Sequence, residues 1–189
     1  MLKPRDAQVR PRGSSLNHSL ARALLLLAVI AVVQMVLQLP SLPTPLAVQF
    51  SASGSVTRWG SPHEFVILNL CIVAALIAIT LFLPAFLGKR PRMRWRLPNR
   101  DYWLAPERLA GTIEYIKRQL LWYGIMTMLL LMAAFQLVVD ANARVPARID
   151  STRLMILIGL FVASMLLWAW AFWRKFSRIP ADRADNPFG

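Results

Sequence analysis

Four long apolar runs limit what this chain can fold into. They occupy residues 21–39, 65–87, 120–139 and 154–173, and none has a charged residue at its centre. At about 1.5 Å per residue, each helical run would cross a hydrocarbon layer of about 30 Å. Backbone polar groups in lipid must pair within their own segment, and the runs lack the alternation of barrel strands. Each run therefore predicts a transmembrane helix.

The expected fold class is an all-α integral membrane protein with four transmembrane helices, an ordered outer loop and a cytoplasmic amphipathic helix. Apolar residues make up 57% of the chain, more than a soluble domain of this size needs. The predicted organisation is a basic segment at residues 1–20, a membrane domain at residues 21–173 and a tail at residues 174–189. The first run is too long for a signal peptide, and no cleavage site follows it closely.

Basic residues predict the orientation of the spans. All but four of the 22 Lys and Arg residues lie in the amino-terminal segment, the connection between spans two and three, or the tail. By the positive-inside rule, both termini are expected in the cytoplasm. The same residues predict attraction to anionic lipid of the bilayer at the cytoplasmic face. No nucleic-acid-binding motif accompanies the net charge of +13, so a nucleic-acid partner is not expected.

Four amide side chains lie within the spans. They are Gln34, Gln38, Asn69 and Gln136. In the predicted orientation all four lie in the outer third of the membrane, so we expect a polar cluster at one level. It has two interpretations: interhelical hydrogen bonds worth about 0.6–2 kcal/mol each, or the floor of a shallow ligand pocket. The absence of ionisable residues inside the spans argues against ion-coupled transport by this chain alone.

Small residues at helical spacing predict close helix contact in spans two and four. They are Ala74, Ala78, Gly159 and Ala163. Pro84 is expected to bend or end span two. Cys71 lies in an apolar run, where burial is expected rather than thiol chemistry.

The outer loop, residues 40–64, predicts an ordered lid rather than a linker. Leu46–Phe50 reads as a short strand, and Gly54 and Gly60 permit tight turns. Phe50 and Trp59 add apolar surface that a linker would not need, so the loop is expected to pack on the membrane face.

The cytoplasmic connection predicts an amphipathic helix that begins at Pro106, lies on the inner leaflet and leads into span three. Its apolar face consists of Leu109, Ile113, Ile116 and Leu120. Aromatic residues at the inner ends of spans three and four are expected to be interfacial anchors. They are Trp122, Tyr123, Trp168, Trp170 and Trp173.

Two motifs carry a resemblance to a known family. The outer motif is LAVQF at residues 46–50, followed by Gly54 and by WGS at residues 59–61; the second is LPNRDYWLAPER at residues 97–108. Together they resemble an uncharacterised bacterial membrane domain that also occurs at the amino end of SdpI-type toxin-immunity proteins. The resemblance implies a bacterial inner-membrane location. Members usually carry histidine at the position of Gln49, so a role of that histidine in metal binding or proton transfer would be lost here. The immunity proteins also have additional spans.

Catalytic groups do not converge in the sequence. His18 and His63 fall on opposite sides of the predicted membrane. A hydrolytic group built from His63, Glu64 and the outer-loop serines is conceivable. However, no nucleophile elbow, metal-ligand spacing or phosphate loop is present. No catalytic, metal-binding or cofactor-binding residue is predicted, and the chain is not expected to be an enzyme.

The leading hypothesis is a non-catalytic inner-membrane module that binds a partner protein or small ligand through both loops, in a sensor, regulatory or immunity-like role. The candidate contacts are Gln49, Phe50, Gly54 and Trp59 in the outer lid, and Asn99, Arg100, Asp101, Tyr102 and Trp103 on the inner surface. The alternative is an accessory subunit of a transporter or envelope complex. A membrane-protein partner or a second copy of the chain is compatible with either hypothesis.

Overall fold

The computed structural model describes residues 12–89 and 97–179, and four of its helices are long and apolar enough to cross a membrane. The helices are α1 (Arg12–Gln38), α2 (Pro62–Lys89), α3 (Arg100–Trp103), α4 (Pro106–Asn142) and α5 (Ser151–Ser177), with a 3-10 turn at Leu39–Ser41. Two strands, β1 (Leu46–Phe50) and β2 (Val56–Gly60), form an antiparallel hairpin between α1 and α2. The four predicted spans are thus confirmed as helices α1, α2, α4 and α5.

Helix α4 is the centre of the bundle, and α1 runs parallel to it. Near the start of both helices, the Asn17 side chain donates to the backbone carbonyl of Glu114 at 3.2 Å. Near their ends, Gln34 donates to the side chain of Gln136 at 3.0 Å. We call the end that carries β1 and β2 the hairpin end, and the end where α1 begins and α5 finishes the terminal end.

Helices α2 and α5 run antiparallel to α4. The ring of Phe65, at the start of α2, stacks on that of Phe135 with 5.4 Å between centroids. Trp168, late in α5, donates from its indole N–H to the carbonyl of Gln119 at 3.0 Å. This up-and-down order places both ends of the described chain at the terminal end.

The tightest helix contact is at Gly124 in α4. A Cβ atom there would lie 2.9 Å from the Thr80 hydroxyl oxygen and 3.3 Å from Leu24 Cδ2. Both Thr80 and Leu24 are buried, so α1, α2 and α4 meet at the missing side chain. The prediction that small residues of spans two and four make such contacts is wrong within the chain. The residues concerned, Ala74, Ala78, Gly159 and Ala163, are all exposed.

Three further expectations need correction, and a fourth is met in part. Cys71 is exposed on the surface of α2 rather than buried. Helix α2 continues through Pro84 to Lys89, so the proline does not end it. The helix expected from Pro106 does begin there, and it leads without a break into span three as the first part of α4. Strand β1 has the bounds predicted for it, but its partner β2 was not predicted, and an all-α description omits the hairpin.

Replacing Gly124 with leucine should destabilise the bundle, because the new side chain has to displace Thr80 and Leu24. Overpacking of this kind costs about 1–3 kcal/mol. Gly159→Leu is the matched control, since a Cβ atom there meets nothing within 4 Å. Thermal unfolding in detergent, followed by circular dichroism, should show a lower midpoint for Gly124→Leu only. Equal midpoints would show that the helices do not approach at Gly124.

Candidate functional site

The hairpin is held against the end of α4 by Asn142. The backbone N–H of Ala47 donates to Asn142 Oδ1 at 2.8 Å, and Asn142 Nδ2 donates back to the Ala47 carbonyl at 2.9 Å. The same Nδ2 also donates to the carbonyl of Val138 within α4. One amide thus pairs with β1 as a neighbouring strand would, on the edge opposite β2. Asn142 is not among the residues predicted from the sequence, although an amide just beyond an apolar run is the available signal.

The turn of the hairpin contacts the loop between α4 and α5 through Gly54. This residue has φ +87°, and a Cβ atom on it would lie 2.6 Å from the carbonyl oxygen of Ile149. The Ile149 N–H donates to the Gly54 carbonyl at 3.1 Å. The Arg148 side chain donates to the Ser53 carbonyl at 3.2 Å. Glycine is required here both for the left-handed turn and for the close approach.

Asp150 fixes the other end of this loop at the start of α5. Its carboxylate accepts the backbone N–H of Arg153 at 3.1 Å and lies 3.4 Å from the Arg153 guanidinium. The backbone hydrogen bond is the largest cause that holds the pKa of Asp150 below its ordinary value, and the charge of Arg153 adds to it. The loop is thus anchored at Gly54 and at Asp150.

A cleft of about 830 Å³ lies between the hairpin and this loop. Its apolar wall consists of Pro43, Pro45, Val56, Trp59, Val145, Pro146 and Ala147. Its polar lining consists of Ser53, Ser55, Asn142, Arg144 and Arg148, so its only charged lining residues are arginines. The Trp59 side chain is 53% exposed and Val145 is 100% exposed. The cleft therefore offers apolar surface and positive charge side by side.

The residues predicted for the outer lid have different positions relative to the cleft. Trp59 lines it, whereas Gly54 is not a lining residue and instead contacts Ile149. Gln49 is exposed on β1 and Phe50 is half-buried, and neither is among the lining residues. Two arginines of the loop that sequence analysis did not select, Arg144 and Arg148, complete the site.

The intramembrane amides form a cluster, but one of the four is not part of it. Gln136 Oε1 accepts from Gln34 Nε2 at 3.0 Å and from Gln38 Nε2 at 2.8 Å. Gln136 Nε2 donates to Asp140 at 2.8 Å, so the cluster extends to a carboxylate that was not predicted. Asn69 instead donates to the Phe65 carbonyl of its own helix. None of these side chains lines the cleft, and the bonds from Gln34 and Gln38 to Gln136 are interhelical hydrogen bonds.

At the terminal end, the motif at residues 97–108 caps α5. Asn99 Nδ2 and Trp103 Nε1 both donate to the carbonyl of Phe176, at 3.0 and 3.1 Å. Thr112 in turn donates to the Trp103 carbonyl at 2.8 Å. Carbonyls in the last turn of a helix lack intrahelical partners. The Phe176 carbonyl is one of these, and it accepts two hydrogen bonds, one from each side chain. Trp103 is buried by these contacts, whereas Asn99 makes its bond to Phe176 from an exposed position.

The remaining three candidate residues of the motif differ in exposure. Arg100 and Asp101 are exposed on α3, and Tyr102 is half-buried beneath the Arg108 guanidinium, which lies 3.9 Å from its ring centroid. Among the anchors predicted from sequence, Trp122, Trp170 and Trp173 face outward, whereas Trp168 packs on Tyr123.

Among residues 12–89 and 97–179, no group of three or more His, Cys, Asp and Glu side chains could hold a metal ion. The outer-loop serines bond to one another: the Ser51 hydroxyl lies 2.8 Å from that of Ser53 and 2.7 Å from that of Ser55. In comparisons with known proteins, no protein-family model, curated protein or solved structure matches the chain. The resemblance to the bacterial membrane domain therefore stays a prediction.

Replacing Asn142 with alanine should release the hairpin, because the N–H and carbonyl of Ala47 lose their side-chain partner. A polar group left unpaired in this way costs about 1–3 kcal/mol. Hydrogen–deuterium exchange should become faster across residues 46–60 while the helices remain protected. Asn69→Ala, which removes only a bond within one helix, should leave exchange in the hairpin unchanged. Unaltered exchange in Asn142→Ala would show that the hairpin is held by other contacts.

Proposed function

We propose that this chain is a non-catalytic membrane module that binds a ligand in the hairpin-end cleft. The ligand has an apolar body and an acidic group, as in a partner segment with a carboxylate beside apolar side chains. The observation that carries the proposal is the cleft itself, whose volume is within the range of about 300–1,000 Å³ typical of ligand sites. In the orientation predicted from the basic residues, the cleft is on the side of the membrane away from the cytoplasm, and the resemblance implies that this membrane is the inner membrane of a bacterium.

The two arginines that line the cleft, Arg144 and Arg148, are the reason for proposing an acidic group on the ligand. Arg148 uses one nitrogen for the Ser53 carbonyl, which orients its guanidinium while leaving other N–H donors for a ligand. Arg144 lies close enough to Asp150 for its charge to help lower the pKa of that carboxyl, but Arg153 is the salt-bridge partner of Asp150. Guanidinium groups pair with carboxylates through two parallel hydrogen bonds, which gives geometric specificity as well as charge.

Trp59 and the prolines that line the cleft are the reason for proposing an apolar part of the ligand. Exposed tryptophan provides a large, rigid contact area and is enriched at binding hot spots. The cleft is anchored on both sides, by Asn142 under the hairpin and by Gly54 and Asp150 along the loop. An anchored site loses less conformational entropy on binding than a mobile loop would.

A photo-crosslinking amino acid at Val145, tested in native membranes, should capture the ligand, because this side chain is fully exposed at the cleft. Adding Trp59→Ala or Arg144→Glu should reduce the cross-linked product at least about tenfold, as expected for loss of a hot-spot contact. Mass spectrometry of the product identifies the ligand.

Trp122→Ala is the matched control for this experiment, since it removes an exposed tryptophan outside the cleft. It should leave the cross-linked product unchanged. Equal losses in Trp59→Ala and Trp122→Ala, or no product at Val145, would contradict binding in the cleft.

A second candidate function, an accessory subunit of a membrane complex, is favoured by α5. Of the 18 consecutive residues that are most apolar in α5, none is buried. In the corresponding stretches of the other three spans, 22–28% of the residues are buried. Gly159 and Ala163 lie on this exposed surface, and small residues permit close approach of a partner helix.

For the accessory-subunit function, the double variant Gly159→Leu and Ala163→Leu should lose a stoichiometric membrane partner on purification in mild detergent, because leucines block close helix approach. Ala74→Leu, on the exposed surface of α2, is the control and should keep the partner. Protein that purifies alone from native membranes as a stable, single species would exclude this function and leave the cleft hypothesis intact.

A further inference from the structure

Basic side chains at the terminal end rest on aromatic rings instead of pairing with carboxylates. Lys175 Nζ lies 4.8 Å from the ring centroid of Trp103 and 5.8 Å from that of Tyr115. The Arg118 guanidinium lies 5.3 Å from the Tyr115 centroid, and that of Arg174 lies 5.0 Å from the centroid of Trp170. Within the part of the chain that the structure describes, none of these cations forms a salt bridge. Their charge is therefore available to an external anion.

Two cavities, of about 540 and 370 Å³, share Trp103, Tyr115 and Lys175 in their walls. The larger one adds Arg174 and Arg178, and the smaller one adds Arg108, Arg118 and a single carboxylate, Glu107. Lys175 thus stands between two basic cavities. The arrangement fits two anionic groups a short distance apart, with the lysine ammonium between them.

The surroundings of the cavities match the interface of a bilayer. Trp170 lines the larger cavity and, like Trp173, is exposed on the outer surface of α5. Tryptophan is enriched at the level of lipid headgroups. One turn or more toward the hairpin end, Leu166 and Leu167 are each 66% exposed on the same helix. Apolar surface next to a basic cavity suits a molecule with a phosphate head and hydrocarbon chains.

We propose that these cavities bind the headgroup of an anionic phospholipid, with its acyl chains along the exposed surface of α5. Phosphate oxygens accept hydrogen bonds from Lys175 and from the arginines of each cavity. A lipid that carries two phosphates fills both cavities, so it binds more tightly than a lipid with one. The site lies at the opposite end of the bundle from the cleft and does not depend on the function proposed for it.

The test uses the full chain in mild non-ionic detergent, titrated separately with phosphatidylcholine, phosphatidylglycerol and diphosphatidylglycerol and analysed by native mass spectrometry. Bound lipid should follow the order diphosphatidylglycerol, phosphatidylglycerol, phosphatidylcholine. Lys175→Gln should weaken binding of the two anionic lipids about fivefold, the effect of one basic residue near a membrane surface. Arg118→Gln is a second variant, in the smaller cavity, and it tests the site separately in case Lys175→Gln fails to fold. It should weaken diphosphatidylglycerol binding by a similar factor.

Arg22→Gln is the matched control: it removes one exposed positive charge from the same half of the bundle, on α1 and outside both cavities. It should leave lipid binding unchanged. Equal binding of zwitterionic and anionic lipid, or equal losses in Arg22→Gln and Lys175→Gln, would overturn the proposal. A further arm adds inorganic phosphate at millimolar concentration. Failure to displace the lipid supports the lipid as ligand, and complete displacement would instead make free phosphate the ligand.

Discussion

Backbone N–H and carbonyl groups must find partners wherever water is scarce, and the rest of this structure depends on how they do so. Inside the spans the helices supply the partners. At the ends of the spans, side chains take over: Asn142 pairs with both backbone groups of Ala47, and Asn99 and Trp103 share the carbonyl of Phe176. These polar residues stabilise the fold at points where regular structure stops, and Asn142 accordingly lies just beyond an apolar run.

Helix α4 joins the two candidate sites because it extends past the bundle core in both directions. Its 37 residues would measure about 55 Å, nearly twice the thickness of a hydrocarbon layer. Its last residue, Asn142, holds the hairpin beside the cleft, and its first turns hold Trp103 through Thr112 and present Tyr115 to Lys175. A single rigid helix therefore positions an apolar, basic cleft at one end and basic, aromatic cavities at the other.

Part of the hairpin could be read from residue types and spacing. The strand at residues 46–50 and the turn at Gly54 follow from local patterns, because turn and strand propensities act over a few residues. Of the contacts predicted in the outer lid, Trp59 lines the cleft. The approach of Arg144 and Arg148 to the hairpin could not be read in this way. They are about 90 residues away in the chain, and the parallel packing of α1 and α4 is what brings the hairpin and their loop to the same end of the bundle.

Hydropathy and the lengths of the runs predict the four helices of the described chain that are long and apolar enough to cross a membrane, because the thickness of the bilayer sets the length of an apolar helix. Spacing also brings Gln34 and Gln38 to one face of α1, where both reach Gln136. Which face of each helix meets its neighbours was decided by tertiary packing alone. Gly124 makes the close contact, whereas Ala74, Ala78 and Gly159 face outward, and Asn69 bonds within its own helix. The physical reason is that apolar side chains are equally well accommodated by lipid and by protein. Hydropathy therefore does not distinguish the helix face that contacts other helices from the face that contacts lipid.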